Sequence, residues 1–87
     1  MHEQSLINNL MNKIFSLAEK EKATRITKVS VKLGALSHMS PEHFKEHFDI
    51  SAKGTIAENA VIEAEESKDV NDPNAQWILL KSIDVAD

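Results

Sequence analysis

Eight apolar residues, Leu6, Ile7, Leu10, Met11, Ile14, Phe15, Leu17 and Ala18, recur at three- and four-residue intervals near the start of the chain. Only a helix gathers such a set onto one stripe, and a stripe this wide must be covered by something else. Asn8, Asn9, Asn12, Lys13 and Ser16 supply the wet face, so the spacing predicts a helix running to about Glu21, with Glu19–Lys22 as a charged turn. Ser5 offers an alternative start, as an N-cap that would leave the first residues as an arm. The period then changes. Val29, Val31 and Leu33 alternate with Lys28, Ser30 and Lys32, which predicts a half-buried strand from near Arg25-Ile26 to Gly34. Its lysines would also protect it at a sheet edge. In 87 residues there is room for one small domain, so stripe and strand must cover each other.

The remaining segments add layers to that pair. Ser40-Pro41-Glu42 combines a capping hydroxyl, a proline at the first helical position and an acid in the first turn. The helix it starts should reach about Ser51, with Phe44 and Phe48 facing the core and Gly54 allowing a turn. Thr55–Glu58 has capping-box spacing and predicts a short helical turn. Asn59–Glu66 mixes helix formers with Val61-Ile62. We read it as a strand, because the first strand needs partners. Lys68–Asn74 is a polar loop with Asp72-Pro73-Asn74 as turn chemistry. Trp77–Val85 is a last strand, apolar on both faces as in a central or doubly covered strand. The expected fold is a two-layer α/β domain in the order α-β-α-β-β, with two helices on a small mixed three-stranded sheet. A crossover through the second helix sets the first two strands parallel. The short loop then turns the third strand antiparallel to its neighbour, as in a hairpin.

Composition narrows the function. A net charge of −4 argues against nucleic acid, which requires a basic patch. No apolar run approaches the ~20 residues of a membrane span, and no signal peptide is visible, so a cytoplasmic protein is expected. The absence of cysteine removes disulfides, thiolate metal sites and thiol catalysis. No nucleophile–base pair, paired carboxylates or glycine-rich phosphate loop stands out, which points to a binding protein and not an enzyme. A domain this small also gains from a docked partner or a homodimer.

Met1-His2-Glu3 carries the most specific chemistry. The α-amine of Met1, the amide and imidazole of His2 and the amide of Glu3 form a span short enough for fused chelate rings to place four nitrogens in a plane. That geometry favours Ni(II) or Cu(II) over tetrahedral Zn(II). The alternative is that His2 merely follows the start methionine. His43 and His47, four apart on the second helix, share a face and could bind Zn, Ni or Cu, or could line a solvated face beside Phe44 and Phe48. His38 could join either set or remain a surface loop residue. Glu63, Glu65 and Glu66 form an acidic cluster or a solvated strand face, and Trp77 an anchor for the last strand or a partner contact.

Taken in order, Met1-His2-Glu3, Ser5-Leu6, the run Val29–Ser37, Ser40-Pro41-Glu42 with Phe44 and Phe48, Gly54–Ala60 and Lys81–Val85 strongly resemble the hydrogenase nickel incorporation proteins HypA/HybF. The resemblance covers nearly the whole chain except residues 67–76. It implies a nickel metallochaperone that binds Ni(II) at Met1, His2 and Glu3. It also implies delivery, with a HypB-type GTPase, to the large subunit of [NiFe]-hydrogenase; some members also serve urease. On this reading residues 1–87 are the nickel-binding domain. The family's zinc module, with two Cys-x-x-Cys pairs, is replaced here by the short polar stretch 67–76, so no zinc is expected. A second reading keeps the scaffold without the metal: an interaction module that docks to a maturation GTPase or self-associates.

Overall fold

The computed structural model describes residues 3–86. The expected order is present: α1 (Glu3–Lys20), β1 (Arg25–Leu33), α2 (Pro41–Ala52), β2 (Val61–Glu66) and β3 (Ile78–Ala86). Helix α1 begins ahead of Ser5, so that serine lies inside the helix and is not its cap. Its C-terminus closes on Lys22, at φ 54°, with the Ala23 amide donating to the Ala18 carbonyl at 3.0 Å. That is the left-handed closure that satisfies the last carbonyls of a helix. In α2 the Ser40 hydroxyl accepts from the His43 amide at 3.1 Å, and Pro41 occupies the first turn. Thr55–Glu58 forms hydrogen-bonded turns, not a helical one. Thr55 Oγ1 donates to the Ala52 carbonyl and the Glu58 carboxylate accepts from the Gly54 amide.

Sheet order is where the structure departs from expectation. The strands lie as β2-β1-β3, with β1 parallel to β2 and antiparallel to β3. The first strand is therefore central, and β2 and β3 do not form a hairpin but flank it. The reason lies in the link between them, which crosses the end of β1. The Ser67 amide donates to the Leu33 carbonyl at 2.9 Å, the Gly34 amide to the Trp77 carbonyl at 3.0 Å and the Leu36 amide to the Ala75 carbonyl at 2.7 Å. The last strand is an edge. Its register against β1 skips Lys81, and that of β1 skips Thr27, so each strand carries one bulge residue. The bulge interrupts the period-two pattern, which is why apolar residues fall on both faces of β3.

One face of the sheet is covered by the helices. Leu6, Ile7, Leu10, Met11, Ile14 and Ala18 of α1 meet Ile26, Val29, Val31 and Leu33 of β1 and Phe44 and Phe48 of α2, all buried. Phe15 packs partly against this core, whereas Leu17 stays 39% exposed. The other face is polar. Lys28 meets Glu63 at 3.0 Å, Lys81 approaches Glu65 at 3.9 Å, and Ser30 Oγ donates to Glu63 at 3.4 Å. The acidic cluster is thus partly neutralised by lysines on neighbouring strands.

The Lys28–Glu63 hydrogen bond, reinforced by their opposite charges, holds Lys28 above its ordinary value and Glu63 below its own. Glu63 therefore contributes stability above its ordinary value of 4.5, and that contribution fades as pH falls through its lowered folded value. Lys28 contributes below 10.5 and loses its contribution as pH rises through its raised folded value. Glu63 is exposed and Lys28 is only half-buried, so solvent screening keeps the effect small. Urea unfolding of Glu63→Gln is expected to show a slight loss at neutral pH that disappears well below pH 4.5. A difference that persists in acid would mean that the charge is not its origin.

Candidate metal centre

The start of α1 lies beside the start of β3, where Leu6 and Leu10 share a cleft with Asn74, Trp77 and Ile78, and the helix then runs past Leu79 and Leu80. Ile78 pairs with Leu33 at the far end of β1. The opening turn of α1, the end of β1, the segment that leads into α2 and the link ahead of β3 therefore meet at one pole. There Leu6, Leu36, Ser37, His38 and Gln76 line a cleft of about 250 Å³. Ser37 is buried and donates through Oγ to the Gly34 carbonyl at 2.8 Å, closing a tight turn. His38 follows at φ 58°, a left-handed conformation that turns the chain toward Ser40.

Of the residues expected to take nickel, Met1 and His2 lie outside the described residues. Glu3 is the first residue of α1. Its amide is one of those at a helix start that have no acceptor within the helix, so ligation there would break no helical hydrogen bond. His38 stands at the same pole as that first turn. His43 and His47 stack with ring centroids 4.6 Å apart and planes 14° from parallel. Among the described residues no three His, Asp or Glu side chains converge into a group that could hold a metal ion, so His38 does not complete a three-residue site with the α2 pair. Trp77 is 39% exposed and borders the α1 cleft instead of filling the core.

Two features escaped the sequence reading. Gly34 faces the Ala75 carbonyl so closely that a Cβ would lie 2.2 Å from its oxygen. Gln76 joins His38 and Leu6 around one cleft. Both depend on where a polar loop comes to rest, and nothing local in residues 67–76 encodes that.

Fold and geometry together define a small two-layer α/β domain in which the first turn of α1 and the loop that carries His38 share one pole. A family model described as "Hydrogenase/urease nickel incorporation, metallochaperone, hypA" matches residues 1–71. The chain belongs to the HypA family. The hydrogenase maturation factor HypA of Archaeoglobus fulgidus is 36% identical over 63 residues, covering 72% of this chain and 57% of that protein. The factor of the same name from Dechloromonas aromatica is 32% identical over 79 residues, covering 91% and 66%. The chain thus spans between half and two thirds of these relatives' length. The solution structure of the Ni metallochaperone HypA from Helicobacter pylori superposes with a TM-score of 0.79 at 18% identity, covering 99% of this chain and 98% of that one. At that identity the likeness establishes the fold.

Proposed function

We propose that this chain is a nickel carrier, not an enzyme, that takes Ni(II) through Met1, His2 and Glu3 for the maturation of [NiFe]-hydrogenase, with urease as a further recipient. The observation that carries the reading is the start of α1 at Glu3, directly after Met1-His2, in a chain of the HypA family. The α-amine, the His2 amide and imidazole and the Glu3 amide supply four nitrogens. The positive end of the helix opposes a cation there, and loss of the two amide protons offsets it. The amine and the imidazole bind only in their unprotonated forms and the two amides give up their protons, so uptake releases protons and weakens as pH falls. Acidification, or a partner that displaces the amine, would release the ion.

The partners that fit are a HypB-type GTPase and the hydrogenase large subunit, in the cytoplasm; no helix among the described residues is long and apolar enough to cross a membrane. With no cysteine, the chain has no thiolate set for the structural zinc of longer family members. The test is a Ni(II) titration of the chain with a free Met1 amine, beside His2→Ala. A tight first equivalent with the visible absorption of a planar four-nitrogen site, that absorption lost in His2→Ala, is expected. Equal binding by the variant would sink the terminal site and leave a docking module.

A further inference from the structure

We propose that His43 and His47 form a second metal site, a two-imidazole clamp on α2 for a divalent late first-row ion, which uses no residue of the terminal site.

The argument starts from what holds the helix. The Ser40 hydroxyl caps its first turn, and Phe44 and Phe48 are fully buried. Those anchors fix the rotation of α2, so residues 43 and 47, one place before each phenylalanine, must lie one turn apart on the adjoining flank. There the two rings are half-buried, near-parallel and 4.6 Å between centroids. Two imidazole nitrogens on one ion, each at about 2.0–2.1 Å, sit roughly 3 Å apart. The stacked rings are close enough to reach that spacing by small side-chain rotations, with no change in the backbone. Half-burial restricts the rings, so less freedom is lost when an ion is bound.

Charge favours a cation on this helix. Glu42, Glu46 and Asp49 outnumber its one lysine, Lys45, which is tied to Asp49 at 2.9 Å. The dipole at the start of α2 opposes a cation near His43, and Glu42 in the first turn offsets it. Two protein donors leave the other positions to water, so the site is weaker than a four-nitrogen chelate. Affinity should follow Cu(II) above Ni(II) and Zn(II). The consequence for a nickel carrier is a second, rapidly exchanging place for its cargo on the same molecule.

The test is made in the His2→Ala chain, so failure of the terminal site cannot be confused with failure of this one. Cu(II) and Ni(II) are titrated separately as simple salts, and the copper form is read by the nitrogen splitting of its electron spin resonance. One copper bound by two imidazole nitrogens is expected. His47→Asn should weaken it about tenfold or more, roughly 1.4 kcal/mol per factor of ten, while His38→Ala leaves it unchanged. Equal affinity in His47→Asn, loss on His38→Ala, or no binding would each overturn the proposal. Paramagnetic broadening in the His2→Ala chain without further changes guards against a misfolded variant. The ring signals of His43 and His47 should vanish first at low copper, and broadening centred elsewhere would also overturn it.

Discussion

Three residues placed ahead of Met1 are expected to weaken Ni(II) binding at the chain start at least ~100-fold, while leaving the thermal unfolding of the domain unchanged. The extension turns the α-amine into an amide, which leaves the His2 imidazole as the one ligand that needs no backbone deprotonation and removes the amine end of the fused rings. Even loss of a group that only supports a ligand commonly costs 10–100-fold in metal affinity, so loss of a ligand should cost at least the upper end. The length of the extension matters. A single added residue would put His2 third in its chain, where the new amine, two amides and the imidazole could again surround a planar ion. That variant should bind nickel well, and the pair of extensions separates a need for the amine from simple crowding. Stability should not move, because among the described residues the core begins at Leu6 and Ile7. Isothermal titration and visible absorption read the first effect, and thermal melting the second. If the three-residue extension bound nickel as the parent does, the amine would not be a ligand and the proposed chelate would fall.

The residues that reveal themselves in the sequence are those whose role is local. The three-four spacing of Leu6–Ala18 gives α1 because a helix is the only regular structure that satisfies it. Ser40-Pro41 gives the start of α2 because cap and proline act within one turn. The His43–His47 stack is half legible: the spacing of four puts both on one flank, but the closeness of the rings is a property of packing. Strand order is not legible. Whether β1 is central depends on the 67–77 link crossing its end, a contact between residues more than thirty apart in sequence. Leu79-Leu80 predicts a covered strand, yet β3 is an edge whose alternation is interrupted at Lys81. The proposed terminal chelate rests on the sequence alone, since its four nitrogens belong to three consecutive residues and need no fold to bring them together.

Gly34→Ala should be the costliest small substitution in the domain, at about 3 kcal/mol. Gly34 ends β1 where the link passes over it. A Cβ there would lie 2.2 Å from the Ala75 carbonyl oxygen, 2.6 Å from its carbon and 2.8 Å from the Asn74 oxygen. All three are backbone atoms, so no side-chain rotation relieves the clash; the link itself must move. It is held by the bonds from Gly34 to Trp77, from Leu36 to Ala75 and, within its own turn, from the Ala75 amide to the Asp72 carbonyl at 2.9 Å. Overpacking costs about 1–3 kcal/mol, and each weakened hydrogen bond about 0.5–1.5 kcal/mol more. For a domain of this size that lowers the melting temperature by roughly 12–24 °C. Gly54 is the control. It sits at φ +80°, with nothing near the place of a Cβ, so Gly54→Ala meets only backbone strain of about 1 kcal/mol. The contrast in urea midpoints separates the two roles of glycine, close approach at position 34 and left-handed backbone at position 54. Equal losses at both would mean that the link shifts cheaply. The pole around Leu6 and His38 would then be a loosely covered end and not a fixed platform for the first turn of α1.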